Sequence, residues 1–126
     1  MDQSINFLLD TGASRTVISD KDAIFLKVDY DKLRKSSEKM FGIGGSVETY
    51  ILDDTILIFK TNIGQLELKL PVLFLKHNIE TMKKDDSIKI LRIPSLLGRD
   101  VINKLKLIYN QPDNEIILIE PEIKLC

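Results

Sequence analysis

Phe7-Leu8-Leu9 runs straight into Asp10-Thr11-Gly12-Ala13-Ser14, and Thr16-Val17-Ile18-Ser19 follows. An acidic residue at the end of an apolar run is costly unless it is paired or hydrogen-bonded, so something must hold it there. Thr11 and Ser14 set hydroxyls beside the carboxylate. Gly12 allows a sharp turn and close approach by another group. The sum is a carboxylate held rigidly at a strand end, where it can act as an acid or a base. Taken alone, Asp-Thr-Gly is equally well an ordinary turn, since all three residues are common in turns.

Two further segments carry residues of interest. Gly42-Ile43-Gly44-Gly45 is rich in glycine but is not a phosphate cradle: no Lys-Ser/Thr follows, and the next segment reads as strand, not helix. It reads as a hairpin tip, either a plain glycine-rich turn or a flap that closes on a ligand. Late in the chain, Ser95-Leu96-Leu97-Gly98-Arg99-Asp100 faintly echoes Phe7-Leu8-Leu9-Asp10-Thr11-Gly12. His77 is the single histidine and Cys126 the single cysteine. No intrachain disulfide is possible, a zinc site is not expected, and His77 reads as a loop residue.

The elements that must position these residues are mostly short strands. Ile5–Leu9, Thr16–Ser19, Val47–Tyr50, Thr55–Lys60 and the alternating Leu66–Leu70 read as strands, with Asp53-Asp54 as a break and Pro71 as an interruption before a buried run, Val72–Leu75. A short helix is expected over Lys21–Lys27, capped by Ser19 or Asp20, with Ala23, Ile24 and Phe25 inward. Tyr30–Lys39 reads as loop or a helical turn, Thr81–Ser87 as a charged loop and Ile88–Ile93 as a strand. Val101–Leu107 has helical spacing after an Asp100 cap. Leu107–Tyr109 and Glu115–Ile119 flank a polar turn and form a hairpin. The expected architecture is all-β, a barrel or sandwich with one or two short helices.

With 126 residues, one domain covering 1–126 is expected. Hydrophobic residues make up 44% and the formal net charge is −1. That balance argues against disorder and, without a basic stripe, against nucleic acid. No apolar stretch approaches a membrane span and no leader is evident, so a cytoplasmic location is expected.

Together, Phe7–Ser14, Lys39–Gly45 and Leu96–Ile102 resemble the retropepsins, the single-domain aspartic proteases of retroviruses and their cellular and archaeal relatives. The likeness spans roughly Ile5 to Ile119. It implies a closed β-barrel of acid-protease type and a homodimer with one active site on its axis. By this resemblance Asp10 is the catalytic aspartate, and Thr11 bonds across the dimer. The Gly12 carbonyl receives substrate backbone, while Ala13 and Ser14 form the outer loop. Gly42, Ile43, Gly44 and Gly45 are the flap and Leu96 lines a substrate pocket. Leu97, Gly98, Arg99 and Asp100 form the structural second loop.

Two departures stand out. Retroviral members carry an Asp where this chain has Ser14, so Arg99 needs another partner or bonds backbone carbonyls. Only nine residues precede Asp10, where relatives have one or two further strands. The expected replacement in the interface is the strand around Ile116–Ile119 or the tail through Leu125. The implied reaction is hydrolysis of an extended polypeptide by a water held between two aspartates, with no metal or organic cofactor. A catalytically silent peptide-binding or dimerisation module is the alternative, and a small-ligand barrel finds no support in the residues.

Overall fold

The computed structural model describes residues 3–37, 40–42, 45–61, 64–113 and 115–119. Among these described residues the fold is mostly β, with nine strands, three short α-helices and two 3-10 turns. The strands are β1 (Phe7–Leu9), β2 (Val17–Ile18), β3 (Arg34–Lys35), β4 (Met40–Gly42), β5 (Gly45–Thr61), β6 (Gly64–Lys76), β7 (Ser95–Leu97), β8 (Lys106–Asn110) and β9 (Glu115–Ile119). The helices are α1 (Asp20–Phe25), α2 (Lys84–Ile90) and α3 (Arg99–Ile102). Seven strands form one mixed sheet in the order β1-β7-β2-β6-β5-β3, with β4 also on β5, while β8 and β9 pair separately. No strand pairing closes this path into a barrel among the described residues.

The centre of the sheet explains the apolar run in β6. Leu70, Val72 and Phe74 join Ile18, Ala23, Leu97 and Val101 in one cluster; Leu73 and Leu75 join Val17, Val47 and Ile51 in another. Alternate residues of one strand thus feed cores on opposite faces, so every position from Val72 to Leu75 is apolar.

Pro71 does not end the strand, and Asp53-Asp54 does not divide β5 in two. The ladder slips between Leu52 and Thr55, opposite Pro71, so the proline's missing N–H falls at a bulge. Ile88–Ile93 is not a strand. Asp85 and Asp86 occupy the first turn of α2 and Lys89 the last, matching the helix dipole. Ile90 is buried with Asp86, Ser87, Ile93 and Pro94 partly covered, which is helical spacing.

Helix α1 also departs from expectation: Ala23 is buried, but Ile24 and Phe25 are 61% and 53% exposed. It ends with Lys27 at φ 55°, and Val28 N–H donates to the Ala23 carbonyl while Lys27 N–H donates to that of Ile24. That closing pattern usually takes glycine. Tyr30–Lys32 forms a 3-10 turn, and the Tyr30 hydroxyl donates to the Leu75 carbonyl at 2.7 Å. Burial, with the nearby Asp20 charge, pushes this phenol up to about 12. No helix among the described residues is long and apolar enough to cross a membrane.

Candidate active site

Asp10 stands at the end of β1, where the strand gives way to a turn. Its carboxylate accepts the Gly12 N–H at 2.9 Å, and Ala13 N–H donates to its carbonyl at 3.2 Å. A Cβ on Gly12 would lie 3.2 Å from the Asp10 carboxylate, so glycine keeps that carboxylate unobstructed. Asp10 is half-buried, while Thr11, Gly12 and Ser14 are exposed and Ala13 is partly covered. The carboxylate is therefore fixed by the backbone yet faces outward with its loop.

The second loop holds the first. Strands β1 and β7 run parallel in the register Phe7↔Ser95, Leu8↔Leu96, Leu9↔Leu97. This is the register in which the two segments resemble one another in sequence. Asp10 N–H donates to the Leu97 carbonyl at 3.0 Å and Arg99 N–H to that of Ala13 at 2.8 Å. Gly98 passes so near the chain that a Cβ there would sit 2.5 Å from the carbonyl carbon and oxygen of Arg15. Arg99 Nη1 donates to the Thr11 carbonyl at 3.4 Å, so its partner here is a backbone carbonyl.

Asp100 has a different role from a helix cap; Gly98 occupies the N-cap position of α3. The Asp100 carboxylate accepts the Thr16 N–H at 2.9 and 3.0 Å and the Thr16 hydroxyl at 2.7 Å. The Thr16 hydroxyl in turn accepts the Gly98 N–H at 3.1 Å. One threonine, fully buried, thereby ties the exit of the Asp10 loop to both sides of the Gly98 turn. Asp100→Ala is expected to strand two Thr16 donors at a cost of about 2–6 kcal/mol, since each buried unsatisfied group costs roughly 1–3 kcal/mol. Urea denaturation measures this, and Asp100→Asn should recover part of the loss because its amide oxygen still accepts.

A third set of contacts was not legible beforehand. Ser95 Oγ donates to the Asp22 carboxylate at 2.5 Å and accepts the Ser19 N–H at 2.9 Å. His77 is not a free loop residue. Its side chain is 6% exposed, with Nδ1 2.6 Å from the Asp20 carboxylate, and the His77 backbone N–H donates to the same carboxylate at 2.8 Å. Residues 78–94 are thus pinned at both ends to the start of α1. No sequence signal links Asp20 to His77 or Asp22 to Ser95, because the partners are far apart in the chain.

Leu96 is half-buried and faces Leu8 and Val17 in the ladders, while Leu97 enters the core. Strand β4 pairs with β5 through Met40↔Val47, Phe41↔Ser46 and Gly42↔Gly45, which makes the expected glycine-rich hairpin. Ile43 and Gly44 at its tip lie outside the described residues. Among the described residues, no three His, Cys, Asp or Glu side chains are grouped to hold a metal ion.

The family model described as "gag-polyprotein putative aspartyl protease" matches residues 1–104, and the chain belongs to that family. Among solved structures, a retropepsin-like aspartic protease from Rickettsia conorii superposes with a TM-score of 0.53 at 18% identity, over 91% of this chain and 79% of that one. The EIAV protease bound to an inhibitor gives a TM-score of 0.48 at 24% identity, over 79% of this chain and 74% of that one. No curated protein matches the chain. Family and fold together bear out the retropepsin-like reading.

Proposed function

We propose that this chain is an aspartic endopeptidase that works as a symmetric homodimer. The observation that carries the reading is Asp10 itself, held by Gly12 and by the Gly98–Asp100 clasp in an exposed loop of a family member. The chemistry uses two carboxylates at one water, and each chain brings one Asp-Thr-Gly. Two copies meeting at this loop would set Asp10 beside its counterpart, with the Thr11 hydroxyls bonding across the axis. Two adjacent carboxylates cannot both ionise easily and share a proton. The ionised one takes a proton from the water, and the protonated one donates to the scissile carbonyl oxygen.

In this reading the Gly12 carbonyl and the β4–β5 flap grip an extended peptide by strand-like hydrogen bonds, and Leu96 lines a side-chain pocket. The hairpin β8–β9 supplies the interface. Tyr109 and Ile116 are 67% and 54% exposed there, and Ile117 and Ile119 are exposed beside them. A lone two-stranded hairpin of this kind is marginal in water without a covering surface. A reducing, cytoplasmic setting fits a chain whose single cysteine is Cys126.

The test is peptide cleavage across pH. The rate should be greatest at mildly acidic pH and fall towards neutrality, because the shared proton is then lost and both carboxylates repel. A rate that climbs steadily above pH ~7 would contradict an aspartate dyad. The competing reading, a silent binding module, is favoured by Ser14 in place of the usual second aspartate; it predicts peptide binding with no turnover at any pH.

A further inference from the structure

The outer half of the β5–β6 hairpin is a ribbon of two strands. Strand β3 pairs with β5 at Tyr50 and Ile51, and β2 pairs with β6 at Leu73 and Phe74. From Thr55 to Lys60, β5 therefore has β6 as its one strand partner among the described residues. A two-stranded ribbon is marginal in water, and an open edge invites another strand. A groove of about 690 Å³ beside this stretch is lined by every residue from Thr55 to Lys60, which leaves room along the edge. Leu57 and Phe59 pack against the main core cluster. Asp54, Ile56, Ile58 and Lys60 alternate with them and are exposed, Ile56 and Ile58 by 54% and 52%.

We propose that this edge pairs with the same edge of a second copy, antiparallel about a two-fold axis at Leu57. In that register Ile56 of each chain stands opposite Ile58 of the other, and Asp54 of each opposite Lys60 of the other. The isoleucines then cover one another, and an opposite-charge pair closes each end of the contact. A slip of two residues sets Ile56 against Lys60 in one direction and Ile58 against Asp54 in the other, so charge and apolar matching select this register. Asp54 lies 3.6 Å from Lys69 of its own chain, but both side chains are largely exposed, which leaves the carboxylate open to a second cation. The edge of β6 is a poorer candidate. Its exposed residues there, Gln65, Glu67 and Lys69, are polar, so a strand added beside them covers no exposed apolar side chain. No residue of the Asp10 loop lines the groove, so this contact is separate from the one proposed at Asp10 and does not rest on the peptidase reading.

Hydrogen exchange on the full chain across a dilution series tests the pairing. Alternate amides from Ile56 to Lys60 should be protected at high concentration and lose that protection on dilution, while the Val72–Leu75 core stays protected throughout. Asp54→Lys and Lys60→Asp replace exposed side chains and leave the core untouched. Each should raise the concentration at half-protection about tenfold or more, because two cross-strand pairs change from opposite to like charge. The double variant Asp54→Lys/Lys60→Asp, and an equimolar mixture of the two single variants, should recover most of the loss, since both restore opposite charges across the axis. Amides that exchange freely at every concentration overturn the proposal. Protection that dilution leaves intact assigns the edge to a segment of the same chain and also overturns it. So do single variants that pair as well as the parent, or a double variant that recovers nothing.

Discussion

Asp10→Asn is expected to leave the fold in place and to abolish peptide hydrolysis, with turnover falling about 10³-fold or more. The amide keeps an oxygen to accept the Gly12 N–H, so the 2.9 Å contact survives and the loop stays closed. What the amide cannot do is take a proton from water, and general acid–base contributions of roughly 10²–10⁴ are lost with the carboxylate. In the proposed homodimer a single substitution would remove both carboxylates at once, which places the expected loss at the upper end. The measurement is turnover of an extended peptide library at acidic pH, alongside thermal unfolding to show that the variant is folded. Unchanged turnover in the folded variant would remove Asp10 from the mechanism.

Gly98→Ala is expected to have the largest effect on stability. The added methyl would stand 2.5 Å from the Arg15 carbonyl carbon and oxygen and 2.9 Å from its nitrogen, and none of these backbone atoms can rotate away. The two loops would have to separate. Three bonds across the gap would weaken together: Gly98 N–H to Thr16 Oγ, Arg99 N–H to the Ala13 carbonyl, and Thr16 to Asp100. Overpacking against a fixed neighbour costs about 1–3 kcal/mol and sometimes more, so a loss of about 3 kcal/mol and a melting point lower by on the order of 10 °C are expected. The backbone at Gly98 has φ −95°, which any residue adopts, so the effect is steric and owes nothing to conformational freedom. A melting point within about 2 °C of the parent would show that the loops are not in the contact described.

The site was legible where chemistry and spacing coincide. Asp10 with two apolar residues before it, and Gly98-Arg99 with two apolar residues before them, marked two strand-to-turn junctions, and the structure sets those strands side by side in the same register. The hairpin of β8 and β9 was equally plain, since its polar turn separates two apolar runs. Long-range pairing was not legible. Asp100 looks like a helix cap in sequence, and it bonds Thr16, distant in the chain, because the second loop folds back on the first. His77 looks like a loop residue, and it is buried because Asp20 meets it at the end of β6. The segment Ile88–Ile93, expected as a strand, contains the end of helix α2, where the acidic first turn and the single buried side chain, Ile90, favour a helix. Ile24 and Phe25 were expected inward on their character alone, but the buried residues of so short a helix are Asp20, Asp22 and Ala23, which leaves both apolar side chains on the exposed side.

The central claim is that one chain holds half an active site. Sedimentation velocity across a dilution series, with peptide cleavage measured on the same samples, addresses it directly. The specific activity should rise with concentration in step with the dimer fraction, and an excess of Asp10→Asn chains should suppress the parent by forming mixed dimers. Full specific activity in samples that sediment as monomer would contradict the account.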